Sequence, residues 1–154
     1  MDYTDIVFYE NLLGGSTITM EQTVGATAVK KGDPLQKGAT DDLVIPMTAA
    51  DQPIVGVALA DAAVGAEVAF IPAFPWNVFA IKCDGACLFE ASTDQYIACD
   101  FVDFTSGDMR IDPDTEAAGD VIPIGLAPGE TDALAENIVL CIFTDTVWTT
   151  ELKN

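Results

Sequence analysis

Histidine is missing from the 154 residues altogether. That absence removes the usual general base near neutral pH, the Ser-His and Cys-His nucleophile pairs and the commonest metal ligand. Basic residues are almost as scarce: Lys30, Lys31, Lys37, Lys82, Arg110 and Lys153 stand against 25 Asp and Glu, for a net charge of −19. Such a chain repels phosphate backbones. Between Arg110 and Lys153 lie nine acids and no base, so this third offers no basic stripe to nucleic acid or anionic lipid. Neither nucleic acid nor membrane is expected as a partner. No apolar run approaches the ~18 residues of a membrane-spanning helix. The opening MDYTDIVFYENLLGG carries acids where an export signal needs positive charge. A soluble chain without an export signal is the expectation.

Cysteine is sparse too. Cys83, Cys87, Cys99 and Cys141 sit in or beside apolar, strand-like runs. A chain of this length buries roughly two-thirds of its unfolded surface and needs neither disulfide nor metal to fold. The closely spaced pairs of a structural zinc site are absent, so buried free thiols are expected.

Long amphipathic helices are hard to find. From Thr17 onward, apolar segments of five to eight residues alternate with Gly, Pro and Asp clusters. This punctuation predicts an all-β fold: a compact β-sandwich or β-barrel with short turns and little helix, one β-rich domain over 17–154. The expected strands are Ala28–Lys31, Leu43–Met47, Ile54–Ala60, Glu67–Ile71, Asn77–Lys82, Gln95–Phe104, Val121–Ala127 and Ile138–Thr144. Short helical turns are expected at Ala86–Ala91 and Asp132–Asn137. Several strands, Ile138–Phe143 above all, are continuously apolar instead of alternating, which implies cover on both faces by a second sheet or a neighbouring subunit.

Residues 1–16 have another texture. Tyr3, Ile6, Val7, Phe8, Tyr9, Leu12 and Leu13 interleave with acids and end at Gly14-Gly15-Ser16. This reads as an extended N-terminal arm, which either docks on a partner or supplies an edge strand to its own domain. Farther on, Gly32-Asp33 leads to Ile54–Ala60 and Gly107-Asp108 leads to Ile122–Ala127. This is a faint internal echo, for which chance similarity between β-hairpins is the simpler account.

Candidate chemistry is thin. Asp112, Asp114 and Glu116 alternate as calcium ligands do, yet the loop lacks their glycine and terminal glutamate, and a solvated loop is the better reading. No signature picks a glycosidase pair from 25 acids. Neither Gly14-Gly15-Ser16 nor Gly32-Asp33-Pro34 brings the lysine and helix start of a nucleotide loop, so no cofactor is expected. Pro72-Ala-Phe74-Pro75-Trp76 supplies aromatics that anchor an interface when exposed and pack the core when not. Together with the arm it makes Tyr3, Ile6, Phe8, Tyr9, Phe74 and Trp76 the interface candidates.

Val29-Lys-Lys-Gly-Asp-Pro-Leu35 followed by Pro53-Ile-Val-Gly-Val-Ala-Leu-Ala-Asp-Ala-Ala-Val-Gly-Ala-Glu-Val-Ala69 resembles the small decoration, or cement, proteins of tailed double-stranded DNA phages. The match covers about a quarter of the chain. The resemblance implies a non-enzymatic viral structural protein made in the host cytoplasm and carried on the outer surface of the capsid. Such proteins commonly sit as homotrimers that clamp the major capsid protein. None of the matching residues is catalytic. The competing expectation is a carbohydrate-binding or adhesive surface domain, with Trp76, Trp148 or Tyr96 stacking on sugars.

Overall fold

The short apolar segments between Gly, Pro and Asp turns form strands. The computed structural model describes residues 6–85, 89–115, 119–130 and 137–148. In chain order the elements are β1 (Val7–Asn11), β2 (Met20–Val24), β3 (Pro34–Lys37), β4 (Leu43–Pro46), β5 (Ile54–Ala58), β6 (Glu67–Pro72), β7 (Asn77–Lys82), α1 (Ala91–Asp94), β8 (Asp100–Asp103), β9 (Arg110–Asp112), β10 (Val121–Leu126) and β11 (Ile138–Phe143). Strand accounts for 45% of the described residues and helix for 5%, so the fold is all-β.

The first five-stranded unit is a closed barrel in the order β2-β4-β3-β5-β6. All its pairs are antiparallel except β2 with β4. The second unit repeats this connectivity. There β7 pairs with β11, β11 with β10, and β8 with β9, all antiparallel. Two isolated bridges complete the circuit. Cys83 at the end of β7 meets Ile111 of β9 in parallel, and Cys99 before β8 meets Val121 of β10 antiparallel. Substituting β7, β8, β9, β10 and β11 for β2, β3, β4, β5 and β6 reproduces every neighbour and every direction. Ile54–Ala58 and Val121–Leu126, the two apolar strands of the faint sequence echo, therefore occupy equivalent places. The two Gly-Asp pairs do not: Gly32-Asp33 leads into β3, whereas Gly107-Asp108 lies in the β8–β9 turn.

Side-chain alternation, shifted by one residue where β5 bulges between Ile54 and Gly56, explains the continuous apolar runs. Along β5 and β6, Val55, Ala58, Val68 and Phe70 point into the first barrel. Ile54, Val57 and Ile71 point the other way, into a larger cluster with Phe79, Ile81, Phe101, Ile111, Val139, Cys141 and Phe143 of the second unit. All five residues of β5 are buried. The second cover that the sequence demanded is thus the other unit of the same chain. Trp148 joins the two clusters: its indole N–H donates to the Val55 carbonyl at 2.7 Å, and it packs against both.

Three expectations need correcting. Gln95–Phe104 is not one strand: α1 ends at Asp94, Tyr96 takes a left-handed φ of 66°, and pairing is confined to the Cys99 bridge and Asp100–Asp103. The backbone N–H of Tyr96 and the side-chain amide of Gln95 are instead tied to the carbonyls of Pro123 and Ile124. Ala28–Lys31 contributes a single bridge, Val29 to Ala62, because Gly32 turns at φ 85° and pairing resumes at Pro34. β2, β3 and β9 were not expected at all; their mixed polar sequences, MEQTV, PLQK and RID, hide strands whose order comes from their neighbours. Of the expected helical turns, residues 86–88 and 131–136 lie outside the described residues, and Ala91 opens α1.

Gly56 sits where β5 crosses β6. A Cβ there would come closer than 3.0 Å to the Ile71 carbonyl oxygen and to Phe70. Backbone cannot yield as a flexible side chain would. We expect Gly56→Ala to lower unfolding stability by about 1–3 kcal/mol in urea titration, with an unchanged denaturant slope.

Candidate interaction surface

The described part of the arm is an edge strand of its own chain. β1 runs antiparallel to β7, from Val7 opposite Ala80 to Asn11 opposite Asn77, with a bulge between Phe8 and Glu10. Of the interface candidates, Ile6 is buried and Phe8 packs edge-on against Phe79 at 5.9 Å. Both serve the chain's own core. Tyr9 is exposed, and Tyr3 lies outside the described residues. Beyond β1 the backbone is pinned by hydrogen bonds. Leu12 N–H donates to the Trp76 carbonyl at 2.8 Å, Gly14 N–H to the Asn11 carbonyl at 2.9 Å, and Leu13 N–H to Asn11 Oδ1 at 2.9 Å. This turn holds Leu12 and Leu13 in solvent. They escaped the interface candidates, although two adjacent leucines before Gly-Gly are a legible signal.

The aromatic segment packs on itself. Phe74 lies 4.9 Å from Trp76 and 5.1 Å from Trp148 between ring centres, and all three are half-buried. Trp148 spends its N–H on Val55, so of the three aromatics that sugar stacking would use, Tyr96 is the exposed one. A cleft of about 210 Å³ opens beside β1, lined by Ile6, Val7, Phe8, Val57, Leu59 and Ile71, with Lys31 also on its wall.

Of the three acids weighed as calcium ligands, Asp112 closes its own turn. Asp112 Oδ1 accepts the Asp114 N–H at 2.9 Å and Oδ2 accepts the Thr115 hydroxyl at 2.8 Å. Asp114 is exposed, and Glu116 lies outside the described residues. Among the described residues no three acids or cysteines converge as metal ligands.

Elsewhere, buried aspartates tie the units together through backbone donors. Asp33, 1% exposed, accepts Lys30 N–H at 2.8 Å, the Ser106 hydroxyl at 2.5 Å and Gly107 N–H at 2.6 Å. It thereby clamps the first barrel to the β8–β9 turn. Asp120 accepts the N–H groups of Asp51 at 2.7 Å and Phe101 at 2.9 Å, again joining the two units. Burial pushes the Asp120 carboxyl above the usual 3.8. Asp100 and Asp145 push the same way, against the two N–H donors. Sequence patterning gave no sign of these roles, since nothing distinguishes Asp33 or Asp120 among 25 acids.

Cys83, Cys99 and Cys141 are buried free thiols. Burial raises all three, Cys99 to about 12, and holds them as unreactive thiols near neutral pH. Cys87 lies outside the described residues.

No family model matches the chain, and no curated protein matches it in sequence.

Two outcomes follow from the buried carboxylates. Asp33→Ala strands two backbone donors and should cost about 2–4 kcal/mol of unfolding free energy, measured by urea titration. For Asp120 the folded value lies above 3.8, so its ionised form opposes folding, and that penalty disappears as pH falls through the folded value. The stability of the native sequence relative to Asp120→Asn should therefore rise between about pH 7 and pH 4. A gap that stays constant, or moves the other way, would contradict the raised value.

Proposed function

We propose that this chain is a non-catalytic capsid decoration protein that binds the outside of a viral head lattice, against the major capsid protein, and stabilises it. The observation that carries the reading is the fit between the decoration-protein pattern and the barrel framework. Val29–Leu35 supplies the turn into β3, and Pro53–Ala69 supplies β5, the following turn and the start of β6. Its glycines stand where geometry requires them: Gly32 and Gly65 turn at φ of 85° and 81°, and Gly56 admits the close approach of β6. The matching residues therefore encode architecture, as a decoration protein's would.

The physics suits attachment to a lattice. A surface with net charge −19 keeps free copies apart and favours a basic partner surface. Many copies held at once tolerate weak individual contacts. The sugar-binding alternative asks for aromatic faces open to solvent, and the packing of Trp76 and Trp148 against Phe74 works against it.

The test is co-sedimentation with heads of the virus that encodes the chain, alongside its unassembled coat subunits. Saturable binding to assembled heads, with a higher temperature of head disruption, is the expected result. Binding that favours isolated subunits over the lattice would overturn the reading.

A further inference from the structure

The repeated circuit has a strand position that is filled in the second unit and open in the first. Matching hydrogen bonds fix the correspondence residue by residue. Val24 N–H donates to the Ala66 carbonyl and Gly25 N–H to the Val44 carbonyl; in the same places Cys83 N–H donates to the Asn137 carbonyl and Asp84 N–H to the Ile111 carbonyl. The pairings of β2 with β6 and of β7 with β11 run in step with these, so Met20, Glu21 and Gln22 answer to Phe79, Ala80 and Ile81. On the side of β7 away from β11, Val7 of β1 pairs with Ala80. Glu21 likewise turns its backbone away from β6, since the carbonyl of Ala69 opposite it accepts Leu59 N–H from the β5 side. Among the described residues no strand pairs with this outer edge: β4 meets β2 only at Thr23 and Val24. Burial shows the difference. Phe79 is buried with Phe8 edge-on against it, whereas Met20 is half-buried and Ile18 is 57% exposed. Ile6, one residue before Val7, is buried in the second unit; the first unit has beside Gln22 a recess of about 240 Å³, lined also by Lys37, Asp41, Val55 and Trp148.

We propose that the outer edge of β2 accepts an extended segment of a partner protein as an added antiparallel strand, with apolar side chains toward Met20 and Gln22 and a basic side chain opposite Glu21. The chain's own second unit supplies the template for the occupant. There β1 is such a strand, antiparallel to β7, with Phe8 turned onto Phe79 and Ile6 in the core. Backbone bonds along the edge give affinity, and alternate side chains give specificity. Charge separates this partner from a second copy. Glu21 is exposed on the edge, with exposed Glu67 opposite Thr23 on one side and exposed Asp42 before Leu43 on the other. Lys37, at the recess, is paired with Asp41 at 3.4 Å. An exposed acid on a sheet edge repels a copy of net charge −19 and favours a basic segment. The strand position stands apart from the capsid reading; on that reading the segment belongs to the major capsid protein.

Amide NMR and hydrogen exchange on the full nitrogen-labelled chain test this with two end-capped synthetic peptides, Lys-Val-Lys-Val-Lys-Val and Glu-Val-Glu-Val-Glu-Val. In the free chain the Glu21 N–H should exchange rapidly with solvent. The lysine peptide should bind saturably, shift the amides from Thr19 to Gln22 and slow the exchange of Glu21, and the glutamate peptide should bind at least about tenfold more weakly. Glu21→Pro removes the outward N–H and leaves the ladder to β6 intact, because proline is tolerated on an edge whose N–H faces solvent. It should abolish binding with unchanged circular dichroism. Glu21→Gln keeps the N–H and loses the charge, so it should bind both peptides at the same edge with the preference for lysine reduced.

Binding of neither peptide, equal binding of both, binding that survives Glu21→Pro, or shifts that avoid β2 would each overturn the proposal. So would a Glu21 N–H already protected in the free chain, which would mean that another segment fills the edge. Failure of the native chain to bind heads, with the lysine peptide still held at β2, would instead overturn the capsid reading and leave the strand position standing.

Discussion

The two-sided burial of β5 and β6 is the constraint on which the rest of the molecule depends. A closed five-stranded barrel needs apolar residues only on its inner face, yet Ile54, Val57 and Ile71 on the outer face are buried as fully as Val55 and Phe70 on the inner one. Removing ~25 cal/mol per Å² of apolar surface from water favours a second layer over an exposed face. The second unit provides it by bringing Phe79, Ile81 and Phe143 against that outer face. Neither unit completes its packing alone. The segment that carries Trp148 makes the same point: Ile54 N–H donates to the Asp145 carbonyl, and the Trp148 indole donates to the Val55 carbonyl while packing against both clusters.

Electrostatics follows from the same interlock. With six basic residues available for 25 acids, salt bridges cannot be the general means of satisfying buried carboxylates, and Asp33 and Asp120 rely on backbone N–H donors. Such donors carry no formal charge and come in fixed geometry, so each aspartate specifies where two segments meet. Both do so across the junction between units. The junction is therefore apolar at its centre and pinned by carboxylate-to-amide bonds around it, while the surplus charge faces water.

How much was legible depends on whether the signal was local. β7 is bounded as its apolar pattern predicts, and β10 and β11 are within a residue, because each is a continuous apolar run between turn residues. β2, β3 and β9 escaped because none contains a clear apolar run; β2 owes its strand conformation to β6, far along the chain, and β9 to its hairpin neighbour β8. Tyr96 broke an expected strand because its left-handed backbone is fixed by a bond to Pro123, which lies in another strand. The repeated connectivity is nearly invisible in the residues and plain in the pairing. Strand order and pairing direction are set by backbone hydrogen bonds, which the residue letters do not display.

By itself the sequence determined an all-β chain, rich in acids, with no histidine chemistry and with strands that demand cover on both faces. These properties depend on residue type and on periodicity along one segment. Only the tertiary structure decided that the cover comes from a second copy of the same five-strand circuit, and that Ile6 and Phe8 are spent inside while Leu12 and Leu13 are left outside. It also decided which two of the acids hold the units together. Those outcomes depend on which distant segments meet, and long-range pairing is set by the packing of the whole chain.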